Sequence, residues 1–437
     1  MGAPARRRTL ARGRSVDAVA SPHSRPTSRL LTVLTSLLAT TVATVTLTAA
    51  GTTSASAVVP EPPRPAFYET PATLPAANGS LIRSEHMTFL LDPLDATSLV
   101  RDASRILYKT TNRAGKAIAV SGTVLVPDAP WIGAGSRPVI GYAPGTQGMA
   151  DRCAPSRLFS EGIEYEGIGI EGLLLRGYAV AMPDYEGLGT VGVHTYMDRV
   201  SQGRATLDAV RAAQRLSGTG LSTTSPVGLM GYSQGGGAAA SAVELAPTYA
   251  PDLRIKGAVV GAVPADLEKV AANLDGGLYS SFAFFALRGL AASYDKDLSP
   301  YLNATGRATS DSVETDCVFD LLDNAFVKSS SLSYNGQPMS SLMSVEPWKS
   351  IVAAQRIGTI KPTFPVLVTH SHLDDVIPFS VGRTMAKSWC SKGANVYFSA
   401  NIAPLHVGGI VPQTAEALPF FEARFLGLPQ ISNCWLL

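Results

Sequence analysis

The chain has 437 residues, of which 46% are hydrophobic and 16% charged. That balance supplies a large core and excludes an intrinsically disordered chain, and the length suits one large domain carrying an insertion. The formal net charge of +2 excludes the strongly basic balance by which a chain binds nucleic acid through its overall field.

Arginines 6, 7, 8, 12, 14, 25 and 29 come first, then an apolar run over 30–50, then "ASA" at 55–57. Basic, apolar and small residues in that order predict a secretory signal at 1–57, cleaved after Ala57. A run of this length also suits a membrane anchor, but its Thr and Ala content and cleavage-like end favour export. The seven arginines against Asp17 hold the basic charge, and without them the net charge falls from +2 to −4. No second long apolar run follows, so no transmembrane anchor is expected after cleavage. Cys153, Cys317, Cys390 and Cys434 are an even number in an exported chain, with no C-x-x-C spacing, which predicts two disulfides and does not suit a zinc site.

Residues 58–107 are expected to be a lead-in without clear periodicity, rich in Pro and Ala at its start. Strand-like runs then recur at 117–126, 138–143, 178–182, 226–230, 255–260, 365–369 and 395–399. Helical spacing marks 194–216, 380–391 and 413–426. Strands alternating with helices predict a mostly parallel central sheet covered on both faces. The alternation breaks at 267–361, which reads as a cap inserted between two parts of the core, 108–266 and 362–437. In the cap, "LDGGLYSSFAFFALRGL" places Tyr279, Phe282 and Phe285 where they share a helix face. Ordinary core packing is one reading of that face, and a lining for an apolar substrate is the sharper one.

The strand at 226–230 runs into "MGYSQGGGAAASA" at 230–242, a G-x-S-x-G motif between a strand and a helix. The sharp turn strains the serine, so Gly231 and Gly235 lack side chains, while Gly236 and Gly237 let the helix start pack close to the strands. Ser233 is thus a candidate nucleophile, with the Gln234 amide as first oxyanion donor. A serine nucleophile needs a histidine base oriented by a carboxylate. His86 and His194 lie upstream of the serine, against the order serine, acid, histidine of α/β-hydrolases. His370 and His372 flank the expected acid loop too closely, which leaves His406. The strand-end loop of "FPVLVTHSHLDDVIP" offers Asp374 and Asp375, and spacing alone leaves both open. The second oxyanion donor is expected from the loop at 145–148, at Thr146 or Gln147.

Together, "APGTQG", "DRCAPS", "MPDYEGLGT", "GYSQGG", "HLDDVIP", "KGANVYFS" and "LHVGG" resemble the secretory lipase family of fungi and actinomycetes, which includes the fungal lipase A type. The resemblance runs over residues 108–434. It implies an α/β-hydrolase fold, with Ser233 as nucleophile, His406 as base and the first carboxylate of "DDVIP", Asp374, as acid. It also implies disulfides Cys153–Cys317 and Cys390–Cys434, clamping the cap and the tail. One departure is visible: the fungal lipase A type has an acidic residue in the oxyanion loop, where this chain has "GTQG".

The expectation is therefore a secreted serine hydrolase that cleaves carboxylic esters, foremost acylglycerols, through an acyl-enzyme and with no metal or organic cofactor. Its partner is an ester or acylglycerol at a lipid–water interface. Three rivals are a short-chain carboxylesterase with a smaller acyl pocket, a secreted binding protein of the same fold without catalysis, and a peptidase of the same fold. Intact Ser, Asp and His in order argue against the second.

Overall fold

The computed structural model describes residue 2, residues 63–89 and residues 99–437. The leader expected at 1–57 lies, Gly2 apart, outside the described residues. The chain divides into two compact units, Met1–Ala57 and Val58–Leu437, and the description concerns the second.

Among the described residues nine strands form one sheet: β1 Leu81–His86, β2 Val100–Thr111, β3 Ala117–Pro127, β4 Val139–Ala143, β5 Ala179–Pro183, β6 Val227–Tyr232, β7 Ile255–Gly261, β8 Val366–Ser371 and β9 Val396–Asn401. Their order is β1-β2-β3-β5-β4-β6-β7-β8-β9. The first four in that order pair antiparallel, and from β5 to β9 every pair is parallel. All seven expected strands are present within a residue or two. The segment 58–107, read as a lead-in, instead contributes β1 and most of β2. β1 lies at the sheet edge with the partly exposed sequence LIRSEH, which lacks the apolar run that marks the inner strands.

The helices are α1 Pro155–Glu161, α2 Gly167–Leu175, α3 Arg199–Arg215, α4 Gln234–Tyr249, α5 Leu267–Leu274, α6 Ser280–Ser293, α7 Ala304–Ser312, α8 Trp348–Ala354, α9 Phe379–Ser391, α10 Leu405–Gly408 and α11 Ile410–Phe425. Alternate residues of each central strand face opposite layers. Val139 and Ala143 of β4 join the core made with α3, α4 and α9, whereas Ile140 and Tyr142 join that made with α1, α2 and α11. With both faces covered, β4 to β8 are almost wholly buried, which accounts for their unbroken apolar character. Helix α3 begins later than the expected 194 because the Asp198 side chain accepts from the amides of Val200 and Ser201 at 3.0 and 2.9 Å, a side-chain cap that fixes the first turn at Arg199.

β9 is the other edge. The tail covers it with side chains rather than with a tenth strand: Asn433 accepts from the Phe398 amide and donates to its carbonyl, both at 2.8 Å. The disulfide Cys390–Cys434 tethers this plug to α9, so the edge offers no open ladder to another chain.

Helices α5 to α8 and the short 3-10 turns between them form the cap, inserted between β7 and β8. Arg113 of the core stacks on Tyr294 with its guanidinium carbon 3.7 Å from the ring centre, and Ser293 donates to the buried Asp198. On the other side Cys317 is bonded to Cys153. Cap residues 316–318 run beside the loop after β4: Met149 donates to the Asp316 carbonyl at 2.8 Å and Val318 to that of Gln147 at 2.7 Å.

Burial, with the nearby Asp320 and Asp323 carboxylates adding to it, raises the Asp316 carboxyl to about 6. Its folded value then lies above its unfolded one, so the folded chain holds this proton through roughly pH 4–6 and loses stability as pH rises through that window. The carboxyl keeps partial access to water, so Asp316→Asn is expected to raise the thermal midpoint at pH 8 by about 1–3 °C and to leave it unchanged at pH 4. Scanning calorimetry at both values checks this, and equal shifts at the two would contradict the assignment.

Candidate active site

Strand β6 and helix α4 meet at Ser233, whose backbone stands at φ 58°, ψ −121°. For a residue with a side chain this is strained by about 1–3 kcal/mol, and the glycines around it permit the turn. A β-carbon on Gly231 would overlap the Gly235 carbonyl, one on Gly235 that of Ala143, and one on Gly236 that of Gly261. Gly237 has a looser contact, with Pro264.

The loops after β8 and β9 bring the other two residues to the serine. Ser233 Oγ donates to His406 Nε2 at 2.7 Å. The opposite nitrogen, Nδ1, donates to the Asp374 carboxylate, 2.9 Å from each oxygen. Asp375 has a different task, since its Oδ1 accepts from the backbone amide of His406 at 2.8 Å. The two carboxylates that spacing could not tell apart thus differ in geometry, one facing the ring and its neighbour the main chain. Tyr232 holds the same residue from beneath, donating to the His406 carbonyl at 2.6 Å.

Burial works to raise the Asp374 carboxyl, but hydrogen bonds with His370, His406 and the Ile377 amide outweigh it and hold the group well below the usual carboxylate range. His370, read from sequence as too close to the acid to partner it, lies on the far side of that carboxylate at 3.5 Å while donating to the Ile377 carbonyl at 3.0 Å. From the cap, Asn273 of α5 donates to the carbonyls of Asp375 and Val376 at 3.1 and 3.0 Å. The acid loop is therefore tied down from both sides.

The oxyanion candidates are buried. Gln234 opens α4, whose first amides have no intrahelical acceptor, and its side chain meets His194 Nε2 at 3.1 Å. In the loop after β4, Gly145 donates its amide to Glu166 at 2.6 Å, which leaves the amides of Thr146 and Gln147 as the loop's candidate donors. Thr146 Oγ1 is bonded to Tyr196 Oη at 2.7 Å, and Gln147 Nε2 donates to Glu164 at 3.0 Å. Both glutamates are deeply buried, which raises their carboxyl pKa values, that of Glu164 further because Glu166 adjoins it. Nothing in the motif pointed to this pair; an acidic residue inside an apolar helical approach, "EYEGIGIEGLLL", is the signal that was present.

A cavity with about 1000 Å³ of empty space, part of it open to solvent, extends from Ser233 under the cap. Its walls are apolar and come from α5, α6, α8 and the turn at Met339–Ser344, including Leu267, Leu274, Phe282, Leu287, Met343 and Trp348. Of the three aromatics expected to line a substrate, Phe282 lines this cavity. Tyr279 precedes α6 and stacks on Phe282 at 5.9 Å. Phe285 is wholly buried against Tyr196, so neither of these two is a wall of the cavity. The helical turn carries Phe285 away from the opening that Phe282 faces. Among the described residues no group of three or more His, Cys, Asp or Glu is disposed to hold a metal ion, and no helix is long and apolar enough to cross a membrane.

The secretory lipase family model matches residues 154–433. The chain is 29% identical to lipase A of Moesziomyces aphidis, over 90% of this chain and 87% of that protein. It is also 29% identical to a probable inactive lipase of Mycobacterium tuberculosis, over 83% and 82%, and 27% identical to a secreted triacylglycerol lipase of Malassezia globosa, over 84% and 80%. Among solved structures, Candida antarctica lipase A in its closed state superposes with a TM-score of 0.75 at 26% identity, over 86% of this chain and 89% of that one.

Asp374→Asn leaves the ring contact but removes its charge, and is expected to lower kcat for ester hydrolysis about 10³–10⁴-fold. Asp375→Asn keeps an acceptor for the His406 amide and is expected to cost at most about fivefold, the worth of a modest net hydrogen bond. Steady-state kinetics of the two variants check this, and the reverse ranking would move the acid to Asp375.

Proposed function

Because the chain belongs to the secretory lipase family, and is thereby a secreted carboxylic ester hydrolase, we propose that it hydrolyses acylglycerols through an acyl-enzyme on Ser233. The observation that carries this reading is the line of hydrogen bonds Ser233–His406–Asp374 opening into an apolar cavity under the cap. The named activity of the Malassezia relative, a secreted triacylglycerol lipase, supports it.

In this reading Ser233 Oγ attacks the ester carbonyl as His406 Nε2 takes its proton. The ionised Asp374 holds the imidazole in the tautomer with Nδ1 protonated and stabilises the imidazolium that forms. The carbonyl oxygen becomes an oxyanion beside the Gln234 amide and that of Thr146 or Gln147, in a site whose low polarity strengthens each hydrogen bond. His406 then gives the proton to the leaving alcohol, and a water repeats the sequence to release the fatty acid. The acyl chain runs along Phe282, Leu287 and Trp348, where each buried methylene gains about 0.8 kcal/mol. That gain favours longer chains over acetate.

The test is hydrolysis of p-nitrophenyl esters from acetate to palmitate and of emulsified triolein, by the chain from Val58 and by its Ser233→Ala variant. Long-chain and triolein activity, lost in the variant, is the expected result. Activity confined to acetate and butyrate would replace this reading with a short-chain esterase. Undiminished activity in Ser233→Ala would remove the serine from the reaction.

A further inference from the structure

His194 precedes the serine in the chain, against the order expected of a base, and its ring contacts are with Gln234, Glu186, Tyr185 and Tyr196. Its surroundings are nevertheless specific. The ring is completely buried, stacked on Tyr185 at 6.1 Å and edge-on to Tyr196 at 5.8 Å. Its Nδ1 lies 3.0 Å from the Glu186 carbonyl. A carbonyl only accepts, so Nδ1 carries the proton. Burial, partly opposed by that hydrogen bond, lowers His194 to about 4, and the ring is neutral. Its Nε2 is then bare, and must accept from the Gln234 side-chain amide 3.1 Å away. The result is a directed relay from Gln234 through His194 to the main chain at Glu186.

Gln234 is the residue whose backbone amide follows the nucleophile. The peptide between Ser233 and Gln234 belongs to the strained turn, and its easiest relaxation is a rotation of that peptide plane, which would swing the amide away from the oxyanion. An anchor on the Gln234 side chain opposes this rotation. The same loop reaches the other half of the site, because Tyr185 donates to the Pro144 carbonyl at 3.0 Å and Tyr196 is bonded to Thr146. One short segment after β5 therefore touches both sources of oxyanion donors.

We infer that His194 is a positioning residue for the oxyanion hole, holding the Gln234 backbone amide on target through the Gln234 side chain. The inference rests on the reading of Ser233 as nucleophile. It requires that removing either member of the relay weaken binding of the tetrahedral oxyanion and leave ground-state binding alone.

The experiment compares His194→Leu, Gln234→Met, the double variant and His194→Asn with the parent chain and with Ser233→Ala. It measures kcat/KM on p-nitrophenyl butyrate, affinity for an alkyl trifluoromethyl ketone that adds to the serine, affinity for a dialkyl ether that has no carbonyl, and the thermal midpoint. His194→Leu and Gln234→Met are each expected to lower kcat/KM and ketone affinity about 10–10²-fold, below or near the loss of a whole oxyanion donor. Ether affinity should stay unchanged, and the double variant should lose no more than either single, because both act through one contact. His194→Asn, which both donates and accepts, should recover most of the loss. Should His194→Leu fail to fold, Gln234→Met decides alone. Parental kcat/KM in Gln234→Met, additive losses in the double variant, or an equal fall in ether affinity would each overturn the inference. If Ser233→Ala has meanwhile lost hydrolysis, such a result overturns this inference only; if Ser233→Ala retains it, the reading of the serine falls and this inference with it.

Discussion

Everything at this end of the sheet depends on keeping Ser233 at φ 58°, ψ −121°. A turn that tight relaxes unless its neighbours leave it nowhere to go. Here the Ser233 amide donates to the Gly261 carbonyl of the adjoining strand at 3.1 Å, while Gly231, Gly235 and Gly236 bring the helix start against the backbone of β4 and β7. Ala238, Ala239 and Ala240 continue the approach and are wholly buried. Small side chains in α4 thus have a mechanical cause: a larger one would lift the helix and release the turn.

The cap belongs to the same constraint. It roofs the apolar cavity, and through residues 316–318 it also forms one wall of the loop after β4, with the Cys153–Cys317 bond alongside. Gly148, the last residue of "GTQG", stands at φ 129°, and a β-carbon there would overlap the backbone of Asp316 and Cys317. No side chain, acidic or otherwise, fits at that position. The loop is held by main-chain pairing with residues 316–318 and by the buried Glu164 and Glu166.

Much of this was legible in the sequence, for physical reasons that differ by element. The inner strands are buried on both faces, so they read as short apolar runs and were placed to within a residue or two. The turn at Ser233 was legible because its geometry forces glycines at fixed offsets. β1 and β2 were not: β1 is a half-exposed edge that needs few apolar residues, and Arg101, Asp102, Ser104 and Arg105 interrupt the apolar character of β2. The choice between Asp374 and Asp375 was invisible to spacing, because adjacent residues point in different directions only once the loop has folded. Phe282 and Phe285 sit three apart on α6, close enough in angle to share a stripe by counting, yet one meets the cavity and the other Tyr196. Chain order weighs against His194 as a base, and closeness to the acid loop against His370, but neither criterion says anything of the residues that hold a base in place.

The ionisation of the buried carboxyls around the site follows from their donors rather than from their depth. Asp374, Glu164, Glu166 and Asp184 are all removed from water, and burial alone raises each of them. Asp184 accepts from the amide and hydroxyl of Ser156 and remains raised; Glu166 accepts from Gly145 and Tyr142 and remains raised as well. Neutral donors therefore offset part of the cost of burial and no more. Asp374 differs in meeting two imidazoles as well as two backbone amides, and it alone of the four falls below its ordinary range. A carboxylate that stays charged where its buried neighbours tend toward neutrality is the one able to stabilise an imidazolium beside Ser233. Packing His370 against the far side of that carboxylate adds to the hydrogen bonds that outweigh its burial.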